Sequence, residues 1–120
     1  QRLGVYGELA LPREELVRRI EAQLSASARL IPGGPAATHR VGIVTGSGAG
    51  FIAEALAAGI DTLSTGEGAH HTYFDAMELG LDLIYAGHYA TEQVGVQALA
   101  QHLGLRFELP WEFHRHPTGM

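Results

Sequence analysis

VGIVTGSGAGFIAEALAAGIDTLSTGE, Val41 to Glu67, runs from a short apolar stretch through a glycine-containing loop into an alanine-rich segment, stops at a glycine and begins again. The same unit recurs three times from Arg40 onward. Its strands read VGIVT, IDTLST and LDLIYA, and the glycines expected to end the intervening helices are Gly59, Gly80 and Gly104. Glycine accepts the left-handed backbone that closes a helix, and two of these glycines enter the next strand alike, as GID and GLD. Continuous apolar strands alternating with helices require crossover connections and strands buried on both faces. The fold class expected is therefore α/β, an open and mainly parallel sheet with helices packed on it. A helix is expected from about Ala49 to Ala58, with Ile52, Ala55 and Leu56 on its packing side, and a last strand, LRFELP, from Leu105 towards Pro110.

Upstream, Pro12 followed by Glu14 and Glu15 reads as a helix opening, because the first turn leaves amide donors unpaired and favours acidic side chains. Leu16, Ile20 and Leu24, with Val17 beside them, give that helix an apolar stripe. The segment 31–38, IPGGPAAT, reads as a loop or linker from its prolines and glycines. Residues 1–120 are expected to form a single α/β domain. The opening QRLGVYGELALP, which starts at Gln1, reads as the interior of a longer chain.

Composition narrows the function. The 120 residues carry a formal charge of -5, and the eight basic residues are all arginines scattered along the chain. No basic stripe is available for a phosphate backbone, so no nucleic-acid partner is expected. There is no cysteine, which excludes disulfides and thiolate metal sites. No apolar run approaches the roughly 20 residues that cross a bilayer. A cytoplasmic protein without a membrane partner is expected.

In a parallel sheet the loops after the strands collect at the carboxyl edge, where open α/β folds bind ligands. Here they are TGSGAG, TGEGAHH and AGHYATE. Gly46–Gly50 reads either as a cradle for an anion or as a tight turn that needs glycine; it lacks the remaining residues of a dinucleotide fingerprint or a P-loop. Glu67, His70 and His71 bring an acid and two imidazoles to the same edge. Neighbouring side chains on a helix diverge, so only one of the two histidines is expected to face a pocket, and Glu67 reads equally well as an acid favouring the positive end of a helix.

His88 and Glu92 lie four residues apart, which on a helix puts them on one face with Cβ atoms about 5–6 Å apart. Imidazole nitrogen and carboxylate oxygen together suit zinc, iron or manganese. The same pair also fits a solvated first turn, and two ligands fall short of the three that catalytic zinc takes. Glu67, a loop histidine, another subunit or preceding sequence would have to supply the rest. His114 and His116, in HRHP, read as a surface tail.

Taken together, GVYGEL, the GSG and TGE loops with their paired histidine, and DLIYAGHYATEQVGVQALAQHL resemble the NIF-three-like family, the type 2 homologs of GTP cyclohydrolase I. The resemblance covers nearly the whole chain and implies the carboxyl-terminal half of a two-lobed protein that assembles as a homohexamer. It further implies a dinuclear metal site to which His88 and Glu92 would contribute, with a histidine pair and an aspartate of the other lobe completing it. On this basis the chain is expected to bind divalent metal ions, two in the intact protein, and to act as a metal-dependent hydrolase on an anionic or nucleotide-like small molecule. Glu67 or His71 would be available to shuttle protons. The alternative is a noncatalytic metal- or phosphate-binding assembly module.

Overall fold

Alternating apolar residues in the last parallel strand settle how the layers form. Leu83 and Ile84 are both fully buried, yet they point to opposite faces of the sheet, as the two-residue period of a strand demands. Leu83 joins Ile31, Ile52, Ala55, Leu63, Ala76 and Leu81 on one face. Ile84 joins Leu16 and Val41 on the other, with Leu11, Val17, Ile20 and Leu30 packed around them. Each fully buried leucine or isoleucine among them contributes on the order of 1.5–3 kcal/mol on burial.

The computed structural model describes residues 3–119. Strand β1 (Val5–Pro12) leads into α1 (Arg13–Leu24), followed by β2 (Arg29–Pro32) and β3 (Ala37–Val44). A 3-10 turn, Gly48–Phe51, runs into the short α2 (Ile52–Ala57). Then come β4 (Thr62–Thr65), α3 (His71–Leu79), β5 (Asp82–Tyr85) and α4 (His88–Phe107). The five strands form one sheet in the order β1-β3-β4-β5-β2. Helix α1 belongs to the layer on one face, while α2 and α3 belong to the layer on the other.

The three repeated units provide the parallel centre, β3-β4-β5, with Val41–Val44 in register with Thr62–Thr65 and Thr62–Thr65 with Asp82–Tyr85. The sheet is less parallel than the repeats imply, because both edges are antiparallel: β1 on β3 and β2 on β5. A bulge interrupts β1 between Glu8 and Leu11, and the buried Thr38 hydroxyl spans it by donating to the carbonyls of Leu9 and Leu11, at 2.7 and 3.1 Å.

Two sequence expectations need correction. The segment 31–38 is not a linker: Ile31 and Pro32 end β2, Ala37 and Thr38 begin β3, and only residues 33–36 connect them within one sheet. The strand expected at Leu105–Pro110 is instead the end of α4, which continues to Phe107 and closes at Glu108 with a left-handed φ of 54°. Among the described residues no strand pairs with it. Gly104 therefore does not end the helix; the returning chain packs against it, and a Cβ there would lie 2.7 Å from Cδ1 of Trp111.

The repeated Gly-X-Asp has a structural use at the amino edge of the sheet. Asp61 accepts the amides of His39 and Arg40 through Oδ2, at 2.9 and 2.8 Å. Asp82, fully buried, accepts the Gly34 amide at 2.8 Å and the Arg13 guanidinium at 3.2 Å through Oδ1. Arg13 also donates to the Gly34 carbonyl, so the 33–36 connection is clasped from both sides. Burial holds the Asp82 carboxyl above its ordinary range, against the lowering effect of the Gly34 amide and Arg13.

Candidate functional site

At the opposite edge the three loops are stitched together by their own polar groups. Thr65, at the end of β4, donates its hydroxyl to the Gly46 carbonyl at 3.0 Å and accepts the Gly48 amide at 2.8 Å. Thr91, buried in the first turn of α4, accepts the Gly46 amide at 3.0 Å. The amides of Gly66 and Glu67 donate to the same Gly46 carbonyl, at 2.9 and 3.1 Å, and the Gly87 amide donates to Gly66 at 3.0 Å. This bonding bears on the two readings of Gly46–Gly50. The Gly46 and Gly48 amides that an anion cradle would present are already bonded within the protein, which favours the turn.

His88 and Glu92 occupy the first turns of α4 and face each other, Nε2 of His88 lying 3.3 Å from Oε1 of Glu92. Gly46 forms the floor beneath them. Its φ is 66°, and a Cβ there would lie 2.7 Å from Oε1 of Glu92 and 3.2 Å from Nε2 of His88. The missing side chain leaves room where the two donors meet.

The other imidazole nitrogen is engaged as well. Nδ1 of His88 lies 2.7 Å from Oε1 of Glu67, and the Ser47 hydroxyl donates to that same oxygen at 2.7 Å. The Glu67 carboxylate raises the His88 pKa above the ordinary imidazole value, and Glu92 adds to the effect. In return His88, and then Ser47, hold the Glu67 carboxyl below its usual range. In this arrangement Oε1 of Glu67 serves as an acceptor for two donors. Glu67 does not serve a helix start, since α3 begins only at His71.

The paired histidines diverge. His71, exposed and 3.9 Å from Asp75, lines a shallow recess with Ser47 and Glu67. His70 turns to a separate recess with Arg29, Tyr73, Phe74 and Tyr85, and stacks edge-on against Phe74. In the tail, His114 and His116 are exposed; the His116 amide donates to the Tyr89 hydroxyl at 2.9 Å and His114 lies 3.5 Å from Glu112. Sequence reasoning missed the bracing by Ser47, Thr65 and Thr91. The signal available was a threonine ending β4 beside the GSG loop and another between His88 and Glu92.

The donor chemistry fits a divalent cation. Two ligands about 2.0–2.2 Å from a tetrahedral ion stand roughly 3.4 Å apart, close to the 3.3 Å observed. Yet among the described residues no set of three or more His, Cys, Asp or Glu side chains is arranged to hold a metal ion.

A family model described as Duf34/NIF3 (NGG1p interacting factor 3) matches residues 1–118. The chain belongs to the Duf34/NIF3 family. Among its family relatives, the GTP cyclohydrolase 1 type 2 homolog of Deinococcus radiodurans is 45% identical over 123 residues, an alignment covering 99% of this chain and 46% of that one. The homolog of Escherichia coli K12 is 38% identical over 111 residues, covering 90% of this chain and 45% of its own. Among solved structures, a structural-genomics protein of unknown function, ybgI, superposes with a TM-score of 0.90 at 36% identity, covering 98% of this chain and 49% of that one. A protein of Thermus thermophilus follows with a TM-score of 0.82 at 37% identity, covering 97% and 45%. The chain thus spans about half the length of the family relatives it matches. Among the described residues no helix is long and apolar enough to cross a membrane.

Proposed function

We propose that this chain supplies the His88–Glu92 half of a divalent-metal site, for zinc, iron or manganese, in a hydrolase acting on an anionic or nucleotide-like small molecule. The observation that carries this reading is the convergence of Nε2 of His88 and Oε1 of Glu92 over Gly46. The pair offers one neutral and one anionic donor from the first turns of a single helix, a combination suited to such ions. When bound, an ion of this kind acidifies water towards neutral pH. The chain's own residues hold the donors at a solvent-open rim, where His88 is about one-third exposed and Glu92 more than half. The nucleotide-like substrate class draws support from the name that the relatives carry, GTP cyclohydrolase 1 type 2 homolog.

Catalytic zinc takes three protein ligands and a two-metal site more. The remaining ligands of a dinuclear site would come from residues outside this chain's own pair, in a second lobe of the intact protein or in a neighbouring subunit of a homohexamer. Calorimetry and metal analysis on the 120-residue chain and on His88→Ala test the assignment. Loss of bound ion in His88→Ala is expected, and unchanged metal content in that variant would overturn the proposal.

The incomplete ligand set favours a second reading, a noncatalytic metal- or phosphate-binding assembly module. A thermal-shift series separates the two, since a ligand at 100 times its Kd stabilises by about 2.7 kcal/mol. Stabilisation by inorganic phosphate and nucleotides, with none by Mn²⁺ or Zn²⁺, would favour the module.

A further inference from the structure

The side of His88 turned away from Glu92 carries its own structure. Oε1 of Glu67 accepts from two partners at once: Nδ1 of His88 and the Ser47 hydroxyl, each at 2.7 Å. Glu67 is itself fixed, because its amide and that of Gly66 both donate to the Gly46 carbonyl, which also accepts from Thr65. Its backbone is thus held in place, and the Ser47 hydroxyl holds the carboxylate at the imidazole. A carboxylate only accepts hydrogen bonds, and His88 faces one on each side, Glu67 at 2.7 Å from Nδ1 and Glu92 at 3.3 Å from Nε2; the shorter contact marks Nδ1 as the nitrogen that carries the proton of the neutral ring.

We propose that Glu67 is a positioning residue, which keeps the His88 proton on Nδ1 and so leaves the Nε2 lone pair directed at the point shared with Glu92. The inference rests on the metal reading above and deepens it. A histidine that ligates a metal through one nitrogen usually donates its other N–H to a carboxylate or carbonyl, which fixes both tautomer and ring orientation. Here that partner comes from a different loop, the one after β4, and is braced by a third, the one after β3. All three loops of the rim thus converge on the orientation of one imidazole. Ser47 acts one step further out, by fixing the rotamer of Glu67. This gives the serine of the GSG loop a role that neither the phosphate cradle nor the tight turn assigns to it.

The test uses the 120-residue chain and reads the ring directly. Side-chain ¹⁵N spectra of metal-free protein, recorded at a pH where His88 is neutral, report which nitrogen holds the proton. Wild type is expected to show the Nδ1–H tautomer. Glu67→Ala is expected to shift His88 towards Nε2–H and to weaken Mn²⁺ binding, measured by calorimetry, by about 10–100-fold. Glu67→Gln, whose amide oxygen still accepts from Nδ1–H, is expected to restore the tautomer and most of the affinity. A wild-type ring in the Nε2–H form, or Glu67→Ala retaining both Nδ1–H and wild-type affinity, would overturn the assignment. His88→Ala separates the two levels: Mn²⁺ binding that survives it refutes the metal reading, whereas the tautomer in metal-free protein decides the part of Glu67 independently.

Discussion

Gly46 and Glu92 stand so close that a Cβ added to the glycine would lie 2.7 Å from Oε1 of the glutamate. The glycine also holds a φ of 66°, which costs an ordinary residue roughly 1–2 kcal/mol. Gly46→Ala is therefore expected to lower stability by about that amount in urea denaturation. It should also push the Glu92 carboxylate off its position. Mn²⁺ binding should weaken by about tenfold or more, the scale seen when groups supporting a metal ligand are disturbed. Wild-type affinity in a folded Gly46→Ala protein would show that the space beneath the pair is not needed.

Thr91 links the loop after β3 to the start of α4 through the Gly46 amide. Thr91→Val keeps the shape but removes the acceptor, leaving a buried N–H without a partner. A loss of about 1–3 kcal/mol is expected by chemical denaturation. Hydrogen exchange should quicken at the Gly46 amide, while the amides of β1 stay as protected as in wild type.

Asp82 tests the opposite edge of the sheet. Asp82→Ala would strip partners from the Gly34 amide and from Arg13, whose side chain is 19% exposed and can partly rehydrate. The expected cost is about 2–3 kcal/mol, somewhat below that of breaking a fully buried pair. The burial that raises the Asp82 pKa also has a sign. The folded state binds this proton more tightly than the unfolded chain, so the carboxyl's contribution becomes less favourable as pH rises from its ordinary value, about 3.9, through the folded one.

The Glu67–His88 pair has its own pH window. His88 is raised, so its contribution is full below the ordinary imidazole value of about 6.5 and disappears as pH rises through the folded one. Glu67 is lowered, so its contribution is present above about 4.3 and is lost as pH falls through the folded value. The difference in thermal midpoint between wild type and Glu67→Ala should therefore be largest between about pH 4.3 and 6.5. Mn²⁺ affinity should rise with pH across the His88 midpoint, since the ion replaces a proton on Nε2.

The core of the fold was legible because β4 and β5 are buried on both faces and helices separate β3, β4 and β5. Their continuous apolar runs and closing glycines leave little choice of arrangement. The edges were not legible. Proline and glycine dominate 31–38, yet Ile31 and Pro32 still extend beside β5, because an end position lets Pro32 do without an amide donor. Leu105, Phe107 and Leu109 alternate as a strand would, but all are exposed and the first two simply prolong α4. At the site, the helical spacing of His88 and Glu92 foretold their shared face. The Glu67 contact was beyond reach, since it depends on how two loops 21 residues apart meet, and no local pattern encodes that distance.

Asp82 begins β5 and His88 lies beyond its far end; the three steps from Asp82 to Tyr85 alone span roughly 10 Å at about 3.3 Å per residue. Perturbations more than about 10 Å apart that share no partners usually sum. Lesions in the carboxylate clasp and in the histidine rim should accordingly behave as independent variables in a double-mutant cycle. Foldedness could then be reinforced at one pole by protein engineering while ligand preference is retuned at the other.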